Sequence, residues 1–255
     1  MSLTDKSLAV LTPMHGGVAT NNHVTSLLKL AGELFSEGIP FSRVVVTEEA
    51  IVPKARNRLV DEFMKRLDST HALLVDADIG FDPKNILEML SLDRDIVGVP
   101  CSKKCIRWDR IQNVIRKNGR SYNSDELVRA SGDFIFNVDT PSGLTLDEPF
   151  ETKNLGTGLL MVRRGVFEKM QTTYPDRWYD ASNDPDSLPG PVHEFFRVGI
   201  NPDTKQYDSE DYWFCADAKA IGFRVWMLPW VSTSHMGAYK YIGDLPAVAQ
   251  FAGKI

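Results

Sequence analysis

Residues His71–Pro83 read HALLVDADIGFDP, and this stretch decides the fold. Its first half holds four consecutive apolar residues, Ala72-Leu73-Leu74-Val75. A short run of this kind, bounded by turn formers, reads as a strand covered on both faces, as in a parallel sheet. The run ends in two carboxylates one residue apart, Asp76 and Asp78. Asp82-Pro83 then supplies a helix cap and a first-turn proline, which predicts a helix over NILEMLSL, 85–92. A strand, an acidic turn and a helix make one unit of an α/β domain. The carboxylates fall at the carboxyl edge of the sheet, where open parallel sheets bind their ligands.

The alternation extends toward the N-terminus. SLAVL (7–11) is a strand ended by Thr12-Pro13, and Asn21 or Asn22 caps a helix over 21–38. Val24, Leu27, Leu28, Ala31 and Leu34 set the apolar stripe of that helix, and Gly38 stops it. FSRVVV (41–46) is a β-branched strand, VPKARNRLVDEFMKRL (52–67) a helix with Pro53 in its first turn, and DIVGVP (95–100) another strand. Beyond Pro100 the rhythm breaks. SGDFIFNVDT (131–140) and TKNLGTGLLMVRR (152–164) read as strands around the turn-rich PSGLTLDEP (141–149), and RGVFEKM (164–170) as a short helix. Tyr174–Pro191, crowded with Pro, Asp, Asn and Gly, is a loop. A hairpin turning at Asn201–Thr204 follows, then the helix SEDYWFCADAKAIG (209–222) capped by Asp208 or Ser209, the strand FRVWMLP (223–229) and a surface loop over 230–241. The expectation is one α/β domain over 1–255, with a mixed, mostly parallel central sheet flanked by helices.

Composition narrows the function. A net charge of −5 argues against a nucleic-acid surface, which needs a basic face. Three cysteines, Cys101, Cys105 and Cys215, make neither a disulfide framework nor a zinc-binding pattern. No signal peptide and no membrane-spanning run is visible, so a soluble chain in a reducing cytoplasm is expected (a host cytoplasm if the source is viral).

Four features carry chemistry. Asp76 and Asp78, two apart on an extended chain, would point the same way and suit two oxygens on one cation; the plainer reading has one of them capping a turn. Stepping back by helical spacing from Leu59, Val60 and Phe63 lands on Arg56, an arginine on a buried stripe facing the same edge. It is either the partner of a core acid or a cation for a phosphate or a base. DSED places Glu210 and Asp211 in the first turn of a helix, where acids favour the helix dipole and one of them could be a general base. His235 follows the last strand and precedes Gly237. With two carboxylates it completes an oxygen and nitrogen ligand set that suits Mn²⁺ and tolerates Mg²⁺.

The strand-ending VDAD, then NLGTGLLMVRRGVFEKM, then SEDYWFCADAKAIGFRVW, then SHMG together resemble the GT-A glycosyltransferases. The likeness is to the small single-domain enzymes of viruses and bacteria, including those that build chlorovirus capsid glycans. This resemblance implies a Rossmann-like fold with a nucleotide-binding half (1–100) and an acceptor and catalytic half (101–255). It implies Asp76, Asp78 and His235 as metal ligands for Mn²⁺ or Mg²⁺, and Asp211, with Glu210 beside it, as the base of an inverting transfer. Thr12, Pro13 and Met14 would line the base and ribose, with Arg56, Asp76 and Ala77 at the nucleotide, Lys103 and Lys104 at the diphosphate, and Gly156, Thr157 and Gly158 at the sugar. The donor would be a nucleotide sugar, a UDP-hexose by resemblance, and the acceptor a glycan or other hydroxyl, with Trp178 and Tyr179 on a lid or acceptor platform. Two other readings remain: a haloacid-dehalogenase-type phosphatase, which also ends a strand in D-x-D, and a non-catalytic nucleotide-sugar-binding protein.

Overall fold

The computed structural model describes residues 3, 5–134, 136–137, 145–184 and 186–239. Three parallel strands come first, β1 (Leu8–Pro13), β2 (Phe41–Val46) and β3 (His71–Val75), joined by helices α1 (Asn21–Ser36) and α2 (Val52–Arg66). β1 is central, with Leu8 opposite Phe41 on one side and His71 on the other. The two-residue strand β4 (Ile79–Gly80), helix α3 (Pro83–Leu92) and strand β5 (Ile96–Gly98) follow. Strand Leu159–Arg163 runs antiparallel between β3 and β5, pairing Leu159 with Val75 and Leu160 with Gly98. Val225–Met227 adds parallel to β5, and Phe150–Glu151 closes the far edge antiparallel. Among the described residues this sheet has seven strands, of which only Leu159–Arg163 and Phe150–Glu151 oppose the rest. The sheet is mixed and mostly parallel, as the α/β reading expects.

Alternate residues of the strands feed two cores. Ala9, Leu11 and Leu74 face Phe63 of α2 and, behind it, helices α6 (Arg164–Thr173) and α7 (Glu210–Ala220), with Phe167 and Phe214. Leu8, Val10, Leu73 and Val75 face α1 and α3, with Leu30, Leu34, Ile86 and Leu90. Each of the valine, leucine, isoleucine and phenylalanine side chains among these, taken fully from water, contributes about 1.5–3 kcal/mol. This burial on both faces explains why the strands are apolar without alternation. Pro53 opens α2, and the Asp82 side chain caps α3 by accepting from Lys84 N at 3.0 Å, both as expected.

Several expectations are corrected. The cap of α1 is Thr20, in an extended conformation and accepting from His23 N, not Asn21 or Asn22. Val24 and Leu28 stand 42% and 71% exposed, while His23 and Ser26 are buried beside Leu30 and Leu34. The buried face is set by two polar residues that bond to the chain after β3. Residues 108–130, where no helix is expected, form α4 (Trp108–Asn118) and α5 (Ser124–Ala130). The loop 230–241 is not free surface: Ser234–His235 pairs antiparallel with β4, putting His235 opposite Ile79. In the loop after Tyr174, Trp178–Tyr179 pairs with Val192–His193, and Arg177 and Arg197 bind Asp217 of α7 at 2.7 and 3.0 Å. The hairpin forms between Gly199–Ile200 and Tyr207–Asp208. Of the strand expected over 131–140, Phe136–Asn137 pairs with Asn154–Leu155. Residues 135, 138–144, 185, 240 and 241, which fall within expected elements, lie outside the described residues. Among the described residues no helix is long and apolar enough to cross a membrane.

Candidate functional site

The chain turns as soon as β3 ends. Asp76 N donates to Gly158 O at 3.1 Å, and Ile79 N returns to Asp76 O at 3.1 Å. Asp76 and Asp78 are therefore not on extended chain, and their side chains take different partners. Asp76 Oδ1 accepts from Arg56 Nη2 at 2.8 Å. Asp78 accepts from Lys104 Nζ and lies 3.2 Å from His235 Nε2. Like charges at this spacing are tolerable because the protein supplies each with its own cation.

The backbone of this turn is clamped from both sides. Thr20 N donates to Ala77 O at 2.9 Å, His23 Nδ1 meets Ile79 O at 3.2 Å, and Ser26 Oγ bonds both Phe81 N and Phe81 O, at 2.9 and 2.8 Å. From the other side Met236 N donates to Asp78 O at 2.9 Å. Sequence reasoning missed His23 and Ser26; their signal was a pair of polar residues at positions i and i+3 beside an apolar stripe.

Arg56 is 3% exposed. Its Nε donates to Glu210 Oε1 at 3.4 Å, so one guanidinium joins the first carboxylate after β3 to the first turn of α7. Burial works against its charge, but Asp76 and then Glu210 outweigh that and raise its pKa. Its Nη1 is buried without a partner among the described residues. The two acids of the Glu210-Asp211 pair diverge. Glu210 joins the Arg56 network, whereas Asp211, 9% exposed, accepts from Ser209 Oγ and from Tyr212 N. Burial pushes the Asp211 pKa up, against the hydrogen bond from Ser209.

Burial alone would raise the pKa of Asp78, but hydrogen bonds from His235 and Lys104 hold it at about 2. The same Asp78 contact raises the pKa of His235, against burial and with help from Ser102 O. His235 Nδ1 lies 2.6 Å from Ser102 O. A carbonyl only accepts, so Nδ1 carries a proton and Nε2 is the atom turned to Asp78. A ring anchored this way through its other nitrogen is the usual arrangement of a metal-ligating histidine. Once Nε2 gives up the proton it directs at Asp78, Asp78 and His235 fit a hard divalent cation as one oxygen and one nitrogen donor. Asp76 is turned to Arg56, and among the described residues no three His, Cys, Asp or Glu side chains gather closely enough to hold a metal.

A cleft of about 870 Å³ opens here, with Pro13, Arg56, Asp76, Ala77, Asp78 and His235 in its walls. Lys103 and Lys104 also reach it, although Lys103 bonds Asp133 at 3.1 Å. Met14 is 7% exposed beside it, and Thr12 is fully buried, its Oγ1 without a partner among the described residues. Gly158 comes against Asp76: a Cβ there would lie 3.6 Å from Asp76 Oδ2 and 3.2 Å from Cys101 Sγ. Gly156 and Thr157 are buried behind it. Trp178 is 56% exposed and follows Arg177, which binds Asp217.

No protein-family model matches the chain, and no curated protein does. Among solved structures it is similar to A197 from STIV, with 15% identity, 91% of this chain and 86% of that one covered, and a TM-score of 0.47. It is also similar to a glycosyltransferase involved in the glycosylation of the major capsid of PBCV-1 (13% identity, 72% and 71% covered, TM-score 0.32). A third is HddC from Yersinia pseudotuberculosis (12% identity, 74% and 88% covered, TM-score 0.33). At these values the likeness concerns the course of the chain, and a functional reading rests on the site's own chemistry.

Proposed function

We propose that the protein is a metal-dependent glycosyltransferase that moves a sugar from a nucleoside-diphosphate donor, a UDP-hexose, to the hydroxyl of a glycan or other acceptor with inversion. The observation that carries this reading is the contact of Asp78 with His235 in the same cleft as Arg56 and Asp76. Acids and bases of both signs at the carboxyl edge of a sheet suit a cation and a diphosphate together. Asp78 and His235 would hold Mn²⁺ or Mg²⁺, with Asp76 a third ligand only after parting from Arg56. The bound ion supplies Lewis-acid neutralisation of the charge that builds on the departing diphosphate.

The chain's own residues do the rest. Lys103 and Lys104 add positive charge on the same side, and Arg56, whose buried Nη1 has no partner among the described residues, steadies Asp76 beside the nucleotide. Pro13, with Thr12 and Met14 behind it, and Ala77 form the wall for base and ribose. Gly158, which leaves room beside Asp76, with Gly156 and Thr157 behind, forms the sugar end. An acid of the Glu210-Asp211 pair takes the proton of the acceptor hydroxyl as its oxygen bonds the anomeric carbon and the bond to phosphate breaks. Asp211 has the raised pKa of a base, and Glu210 has the direct link to the cleft through Arg56. The test is product analysis with UDP-hexoses, Mn²⁺ and a panel of sugar acceptors. A glycoside plus UDP supports the proposal; free phosphate makes the protein a phosphatase, and binding without turnover makes it a nucleotide-sugar-binding protein. Loss of turnover in Asp211→Asn or in Glu210→Gln identifies the base.

A further inference from the structure

A second cavity, of about 1040 Å³, lies across Lys104 and His235 from the cleft described above. The two cavities share Lys103, Lys104, His235, Gly237 and Ala238 as a common wall. Within it Gly237 packs closely on Lys104, since a Cβ there would come 2.9 Å from Lys104 Cδ. The rest of the groove sets large apolar side chains among polar ones such as Ser102, Arg129 and Thr233. Ile106, Trp108, Val128, Phe134 and Trp230 line it, with exposures of 37, 59, 70, 42 and 37%. Soluble domains seldom leave so many large apolar side chains exposed around one groove unless something binds there.

Charge indicates what binds. Cys101–Ala130 carries eight Lys or Arg and three Asp or Glu, within a chain whose net charge is −5. Asp133 offsets part of the surplus, 3.1 Å from Lys103 and 3.5 Å from Arg110. Of these residues Arg129 stands in the groove wall with Lys103 and Lys104, which pair with Asp133 and Asp78. A neutral glycan would gain from the aromatic faces but nothing from Ile106, Val128 or the positive field. A hydrocarbon chain ending in a phosphate satisfies all three.

We propose that this groove is the acceptor site, and that the acceptor is an anionic amphiphile: a hydroxyl-bearing head on a phosphate attached to a hydrocarbon chain. The hydrocarbon lies along Trp108, Val128 and Phe134, the phosphate meets Arg129, and the head reaches the shared wall at His235. The word acceptor rests on the glycosyltransferase reading; the class of ligand rests on the groove.

The test is calorimetric titration of the full chain with dodecyl phosphate below its micelle-forming concentration. Dodecyl maltoside, inorganic phosphate and maltotriose serve as comparison probes. Dodecyl phosphate is expected to bind most tightly, and Val128→Glu and Trp108→Ala are each expected to weaken it about tenfold or more. Both positions are more than half exposed, so the variants should keep the native circular dichroism. Equal binding of dodecyl maltoside, preference for maltotriose, no binding of the alkyl phosphate, or indifference to both substitutions would each overturn the proposal. UDP with Mn²⁺ is titrated into the same samples. Amphiphile binding without nucleotide binding removes the glycosyltransferase reading and leaves the groove as an amphiphile site, whereas the reverse result removes only the groove proposal.

Discussion

Replacing Arg56 by methionine keeps much of the side-chain volume and removes a cation that faces both Asp76 and Glu210, at 2.8 and 3.4 Å. Removing one partner of a buried ion pair typically costs about 3–5 kcal/mol, because the remaining charge is stranded. Here the arginine side chain is 4% exposed, but those of Asp76 and Glu210 keep 31% and 17% exposure, so water takes over part of the task. The expected loss is therefore about 2–3 kcal/mol. In a domain of this size each kcal/mol moves Tm by about 2–4 °C, so Arg56→Met should melt about 4–12 °C below the native protein. The assay is thermal unfolding with urea unfolding beside it, on Arg56→Met, Asp76→Asn and the double variant. Direct coupling predicts that the double variant is more stable than the sum of the singles by about 1–3 kcal/mol. The reasoning is refuted if Arg56→Met is as stable as the native protein, or if the two changes simply add.

Three further outcomes follow from the geometry. Burial, with Lys6 adding, holds the His71 pKa at about 4, and burial, with Arg177 adding, holds His193 there too, against an ordinary value of 6.5. The unfolded chain then binds more protons between these values, so stability is complete above pH 6.5 and falls as the pH drops toward 4, by up to about 1.4 kcal/mol per pH unit for each ring. Urea midpoints at pH 7, 6 and 5 check this, and a flat profile contradicts it. Ser26→Ala strips Phe81 of bonds to both its N–H and its carbonyl and should cost about 1–3 kcal/mol by thermal unfolding, with weaker Mn²⁺-dependent nucleotide binding as the clamped turn loosens; native-like stability would show that the clamp carries no load. Gly98→Ala places a Cβ 2.6 Å from Leu155 Cδ2 and 2.8 Å from Leu160 Cδ1, and should cost about 1–3 kcal/mol in the same assay through overpacking.

The fold was readable where local signals agreed. An apolar run, an Asp-Pro cap and a helical stripe each implied the same strand–turn–helix unit around β3, and Arg56 was reachable by counting helical steps. Other features depend on contacts distant in sequence. Ser234–His235 and β4 are strands of two residues, too short to show a period, yet their pairing brings His235 to Asp78. The divergence of Asp76 and Asp78 is fixed by Gly158 O and Met236 N, which no pattern within VDAD reveals. Helices α4 and α5 were missed although their signals are local: Trp108, Ile111, Val114 and Ile115 keep helical spacing, and Asn123 with Glu126 makes a capping box. Thr20 displaced the asparagines as a cap because its backbone also bonds Ala77 O.

The central claim is that the cleft binds a nucleoside diphosphate through a cation held at Asp78 and His235. The most direct test is calorimetric titration of the metal-free protein with UDP, GDP and CDP, each with and without Mn²⁺, repeated on Asp78→Ala. The account predicts that one nucleotide, UDP, binds tightly, that binding requires Mn²⁺, and that it is lost in Asp78→Ala. Absence of metal-dependent binding to all three nucleotides, or binding that ignores the loss of Asp78, would contradict it.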